Sequence, residues 1–372
     1  MEVRKYRLAK MKRKVIGRLL LLFIFALLFV FGVVAAILFI RKQSAREAAL
    51  TKLAFSASDQ YVFTGSGFLY LSGGMLTYDD LTNEKYDYSA PVSASGSPVH
   101  LSASPTMHVL YNEGGLKIIG AANAAEFTGT LLSAACGNSH VAVLCLDALN
   151  KESIQVFSSD AQIIDQLAYS GQFILDYGFY TVNEEYLYVL TLSLDSGIPL
   201  STITVYDLTN KSTTGIMQVQ NQLLEKIYFT SGSIFAFGTN QLIRYGLPGN
   251  RESYREMVYG WKPVDFEASP SPSFLLAPRN FDTPGTVKLL TLKEAEVAEA
   301  VAKLYQLPSG TIGAFIMGGK LVALTENGYT QYGSAKSEVS RTFDIKAESA
   351  QKLNSTTLLV KSGESMYLLK IA

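Results

Sequence analysis

Side chains able to do covalent chemistry are few in this chain and scattered along it. The nearest approach to a nucleophile beside a base is Gly137-Asn138-Ser139-His140. No Gly-x-Ser-x-Gly elbow surrounds it, and a Gly-Asn-Ser run between apolar stretches is the composition of a hairpin turn. Gly318-Gly319-Lys320 lacks the upstream glycine and the following Ser or Thr of a phosphate-binding loop, so it too reads as a turn. The three histidines are His100, His108 and His140. His100 and His108 could share a face on successive strands, but no His-Glu-x-x-His or Cys-x-x-Cys partner stands near, and no metal site is expected. Calcium loops of the Asp-x-Asp-x-Asp-Gly type are missing as well. Cys136 and Cys145 flank the hairpin at Asn138. Its register sets Cys136 opposite Val141 and Cys145 opposite Leu132, too far apart for a disulfide, which needs Cα atoms within about 7 Å. Buried free thiols are the expectation. Asn210-Lys-Ser and Asn354-Ser-Thr match the glycosylation sequon and are read as chance. Neither catalytic residues nor a cofactor site can be named, so any site must be assembled from distant segments by the fold.

Those segments repeat. The stretch TYDDLTNEK from Thr77 returns as VYDLTNK from Val205, and its tyrosines, Tyr78 and Tyr206, lie 128 residues apart, near three periods of about 43. Anchoring on one apolar position of a third strand gives Tyr78, Ile119, Phe157, Tyr206, Tyr245, Leu290, Tyr332 and Leu369. Upstream of each is a β-branched or aromatic run suited to a second strand: FLYL at 68, HVLY at 108, VAVLCL at 141, YLYVLTL at 186, IFAFG at 234, FLLA at 274, LVALT at 321 and TLLV at 357. Gly-, Asn- and Ser-rich turns separate them. A period of 40 to 45 residues with three or four strands per unit predicts an all-β fold, a β-propeller with eight blades favoured and seven possible. The last unit reaches only three strands before the chain ends, and Ala49 to Ser58 could supply its outer strand and close the ring. Leu292 to Leu304 combines helix-forming residues with a place where a strand is due, and both readings stay open.

Ahead of the repeats, composition changes sharply. The whole chain of 372 residues balances 32 basic against 32 acidic side chains at 48% apolar content. Residues 1 to 18 hold eight Lys or Arg against one acid, a net +7. Leu19 to Ile40 is uncharged for 22 residues, roughly 33 Å as a helix and enough for a bilayer core of about 30 Å. The run is longer than the 7 to 15 residues or so of a cleaved signal peptide and lacks a convincing small-x-small site, which favours an uncleaved anchor. Basic residues outnumber those on the far flank eight to three, predicting a cytoplasmic N-terminus. The expected organisation is a basic cytoplasmic tail (1–18), a single transmembrane helix (19–40), a linker (41–48) and an extracytoplasmic propeller (49–372). From residue 41 onward 24 basic side chains face 31 acidic ones, a net −7 that disfavours nucleic acid as a partner.

With that order of segments, and with blade texture such as SGGMLTYDDLTNEKYDYSAP and STITVYDLTNKS, the chain resembles an uncharacterised family of single-span membrane proteins of clostridia-like Gram-positive bacteria that carry a WD-repeat-like or quinoprotein-like propeller outside the membrane. The resemblance implies location and fold and carries no chemistry. A quinoprotein site would call for blade-docking tryptophans, and the chain has one, Trp261. In a propeller the second-to-third-strand loops and the blade-to-blade connections share one face. That face collects Trp261, Arg279, Asn280 and Asp282, together with Phe281 and the loop from Asp195 to Ser201, and an exposed aromatic with an arginine is the composition of an interface hot spot. The expected function is a membrane-anchored scaffold that binds a protein or an envelope component. The alternative is an extracytoplasmic hydrolase, lyase or oxidoreductase whose site is drawn from several blades.

Overall fold

In the computed structural model the described residues are 48–92, 99–195, 197–247, 251–280, 285–293, 299–333 and 338–371. The basic tail, the apolar run Leu19 to Ile40 and nearly all of the linker lie outside them. Among the described residues no helix is long and apolar enough to cross a membrane.

Each apolar run pairs with its flanking strands into a small antiparallel sheet, and eight such sheets form. Seven have four strands and one has three, which settles the blade number at eight. Blades 1 to 7 cover residues 60–91, 100–118, 130–168, 173–220, 224–257, 261–306 and 311–342, and blade 8 joins 349–370 to the N-terminal strand. Strands are lettered a to d within each blade, in the order in which they pair. The a strands are innermost, those of blades 1/2, 2/3, 3/4, 6/7 and 7/8 touching one another, and the d strands form the rim. All eight expected second-strand runs are b strands. Seven of the eight anchors fall in c strands, and Ile119 lies one residue past strand 2c (Gly115–Ile118).

A b strand is covered by neighbours on every side, and so the sequence there is continuous rather than alternating: Ser233–Gly238 of blade 5 is buried throughout. The apolar residues group into eight clusters, and every cluster straddles one seam between adjacent blades. No sheet has a core of its own; the ring of seams is the core. Seam 8/1 closes as expected. Strand 8d (Leu50–Ser56) pairs antiparallel with strand 8c (Ser365–Lys370), and Phe55 is buried against Phe68 and Tyr70 of blade 1. The chain enters strand 8d at the rim beside blade 7, where the Ala48 amide donates to the Thr342 carbonyl at 3.0 Å.

Two sequence readings are resolved. Of Leu292 to Leu304, the described residues 292–293 and 299–304 are strand: Glu299–Gln306 pairs along Thr286–Lys293 as strand 6d, so pairing within the blade overrides helix propensity. The cysteine register needs a correction. Cys136 does face Val141, but Cys145 faces Leu131, because Leu132 is bulged out of strand 3a (Thr130–Cys136). Both thiols are free. The same one-residue bulge recurs in the a strands of blades 4 to 7, skipping Leu175, Glu225, Val264 and Ile312. A bulge bends its strand and re-aims the extra side chain. Leu132, Leu175 and Val264 are accordingly exposed although they belong to the innermost strands.

Candidate functional site

Antiparallel a-b-c-d order sends the b–c hairpins and the blade-to-blade connections to one end of every blade, here the connection face, and the a–b and c–d turns to the other, the turn face. The sequence-predicted residues lie on the connection face. Trp261 opens strand 6a (Trp261–Glu267) opposite Pro278, and the Arg279 amide donates to the Gly260 carbonyl at 2.9 Å, so the connection and the b–c loop of blade 6 do come together. Trp261 is partly buried against the 5/6 seam, with Lys288 Nζ 5.8 Å from its ring centroid. Arg279 reaches across that seam, donating from Nη1 and Nη2 to Glu225 Oε1 and Oε2 at 2.8 and 3.0 Å. Its fork is engaged as an inter-blade clamp. Asn280 is exposed beside it, whereas Asp282 and Phe281 lie outside the described residues.

What dominates this face is blade 4. Strand 4b (Glu185–Asp195) has 11 residues and strand 4c (Ile198–Asp207) has 10, against six in the b strands of blades 5, 6 and 7. The excess lies at the b–c end, about four residues or ~13 Å at 3.3 Å per residue. Strand 4a (Phe173–Thr181) begins where Phe173 pairs with Leu192, so everything past Leu192 stands above the ring as a fin. Its flanks are apolar and wet: Phe173 is 69% exposed, Leu194 71% and Ile198 42%. Leu149, Leu223 and Tyr259, on other loops of the connection face, are exposed as well. At the foot of the fin, on seam 3/4, a cleft of about 470 Å³ is lined by Asp147, Lys151, Glu152, Tyr169, Gln172 and Phe173. Asp147 Oδ1 accepts the amides of Leu149 and Lys151 at 2.7 and 2.9 Å, and these bonds, the Lys151 amide foremost, hold its carboxyl below the usual range. Glu152 is spoken for by the Ile174 amide at 2.6 Å.

On the turn face, the two sequence motifs that imitate catalytic loops find their explanation. Gly137 to His140 is the a–b turn of blade 3, and Glu185 of blade 4 caps it, accepting from the Asn138 and Ser139 amides and lying 2.7 Å from His140 Nδ1. Gly318-Gly319 is the a–b turn of blade 7, and its two amides donate to Glu267 of blade 6 at 3.1 and 2.6 Å. Adjacent turn amides make an anion-binding concavity, and a neighbouring blade fills it with its own carboxylate. The histidines are not gathered: His100 stacks on Tyr111, and His108 Nδ1 meets the Tyr88 hydroxyl at 2.8 Å. No metal-binding group of three or more His, Cys, Asp or Glu occurs among the described residues.

The a strands carry four carboxylates, Asp176, Glu225, Asp265 and Glu267. Each already holds a donor: Tyr188, Arg279, Lys352 and the glycine amides respectively. Asp265 reaches the most blades. Its Oδ2 accepts Lys352 Nζ of blade 8 at 3.0 Å and the Ile316 amide of blade 7 at 2.7 Å, and burial still pushes its carboxyl up. Blades 6, 7 and 8 are pinned at the axis by that one side chain. Sequence reasoning missed Glu185, Glu267 and Asp265, since each acts on a segment 45 or more residues away and nothing local marks it.

These geometries decide the architecture. The chain folds as an eight-bladed WD40-like β-propeller. It superimposes on the C-terminal WD40 domain of Sif2 with a TM-score of 0.54 and 11% identity, covering 88% of this chain and 99% of that one. The WD40 domain of SCAP from fission yeast gives a TM-score of 0.54 and 8% identity, covering 87% and 94%. At such identities the likeness is one of fold. No protein-family model and no curated protein sequence matches the chain.

Proposed function

We propose that this chain is a membrane-anchored, extracytoplasmic scaffold that binds a protein partner through the connection face, with the blade-4 fin as its principal contact. The observation that carries this reading is the fin: Leu194 and Ile198 are exposed beyond the last pair with strand 4a, Phe173 is exposed at its foot, and exposed apolar side chains on a rigid frame mark an interaction site. Trp261 and Asn280 belong to the same face, where Arg279 clamps the b–c loop of blade 6 to blade 5; Asp282, expected on this face from the sequence, is taken as part of the same contact. Anchoring is supported by the uncharged run Leu19 to Ile40 behind a +7 tail, and the extracytoplasmic side by the excess of basic residues before the span. The resemblance to the single-span Gram-positive family points the same way.

In-cell crosslinking tests the partner. A photoreactive residue at Leu194 is expected to give a discrete crosslinked species by mass spectrometry, while the same probe at Leu81, exposed on the turn face of blade 1, gives none; equal or absent labelling at both overturns the reading. Protease shaving of intact cells tests the location separately, with loss of the propeller expected and its survival decisive against it.

A further inference from the structure

On the turn face, at seam 4/5, three aromatic rings stack nearly in parallel. Tyr186 lies on Tyr180 with centroids 5.4 Å apart and planes 20° apart, and Tyr180 lies on Phe229 at 4.3 Å and 10°. Tyr186 ends the stack, is only partly covered and lines the pocket beside it. Beside the stack is a pocket of about 260 Å³, to which Asn183, Thr214 and Ser231 contribute amide and hydroxyl groups and Val205 and Leu247 an apolar floor. Tyr180 is 8% exposed, yet its hydroxyl makes no hydrogen bond among the described residues; burial and the neighbouring Tyr186 phenol push its pKa up, so it stays a neutral donor. That hydroxyl is open to solvent at the pocket, so a ligand group can take the place of water there.

Among the described residues no charged side chain lines this pocket. A phosphate, carboxylate or ammonium group would be desolvated there with nothing to pair with. What matches is an uncharged ligand with one flat face of C–H groups and an equator of hydroxyls. The volume takes a single ring rather than the extended groove a proline-rich peptide would need. We infer that the 4/5 pocket binds one neutral pyranose ring of an oligosaccharide, stacked on Tyr186 and hydrogen-bonded to the Tyr180 hydroxyl and Asn183. The site is independent of the partner face, which lies at the opposite ends of the strands.

The test uses the full chain in a zwitterionic detergent without a sugar headgroup, titrated calorimetrically with cellotriose, maltotriose and N-acetylglucosamine trimer, and with a proline hexamer. At least one sugar is expected to saturate. Tyr186→Ala should weaken it about tenfold and Tyr180→Phe about fivefold, while Tyr186→Phe, which keeps the stack, retains binding and guards against a folding artefact. Tyr259→Ala, on the other face, should change nothing. The inference fails if no sugar saturates, if Tyr186→Ala binds as well as the parent, or if the proline hexamer alone binds in a Tyr186-dependent way. Any of these outcomes leaves the Leu194 crosslinks untouched.

Discussion

Single carboxylates do much of the positioning in this ring. Glu267 is buried and caps two glycine amides of the next blade; Glu267→Ala should therefore cost about 1–2 kcal/mol in chemical denaturation, more than an exposed charge deletion would. The repeated Asp-Leu-Thr-Asn motif has a local reason. Asp80 accepts from the Thr82 hydroxyl and from the Thr82 and Asn83 amides, and Asp207 accepts from the Asn210 amide and side chain, so both begin the turn into a d strand. Those bonds, with the Thr82 side chain foremost, lower the Asp80 carboxyl to about 2. A depressed carboxyl stabilises the fold above its unfolded value of about 4 and loses that contribution as pH falls toward its folded value. Carbon-detected NMR should place the Asp80 midpoint near 2, and a midpoint near 4 would mean that the turn is not held. Within one hairpin, residue roles could be read from the chain; the turns at Gly137 and Gly318 were legible as turns. Their caps were not, because Glu185 and Glu267 arrive from other blades.

Strands are where sequence and structure agree best, and for a physical reason. A b strand buried on both faces must be a continuous apolar run, and such runs can be counted. The bulges could not be foreseen, since Leu132 or Val264 looks like any other strand residue, and so the Cys145 register came out one residue off. Fin height was hidden too, because the blade-4 runs read as ordinary strands until their pairing showed how far they continue. Closure by strand 8d carries a clear expectation. Phe55→Ala empties a site on seam 8/1 and should cost about 3–5 kcal/mol, and deleting residues 49–57 should broaden the melting transition; an unchanged melt would refute closure. The fin should behave oppositely. Phe173→Asp with Ile198→Asp alters wet side chains and should shift stability by no more than about 0.5 kcal/mol while abolishing the Leu194 crosslinks to the partner.

At the scale of the whole molecule, stability is shared among eight seams, and the sequence signalled this only as a period of about 42 residues. The ring also has a geometry that its repeats conceal. The described chain starts at the rim of seam 7/8, where Ala48 meets Thr342, and the cleft at the foot of the fin is on seam 3/4, four blades away in either direction. The proposed tether and the proposed partner contact therefore fall on opposite sides of the ring. A load applied between an anchored N-terminus and a partner gripping the fin passes through strand 8d before it reaches any other element, and pulls that strand from its Leu50 end. Hydrogen bonds to strand 8c then break one after another rather than together, which is the weaker mode. In a single-molecule pulling experiment, attachment at Ala48 and Leu194 should open the ring at lower force than attachment at Leu194 and Asn354, and the first length released should be that of the closing strand. The strand that completes the fold would then also be its mechanical fuse.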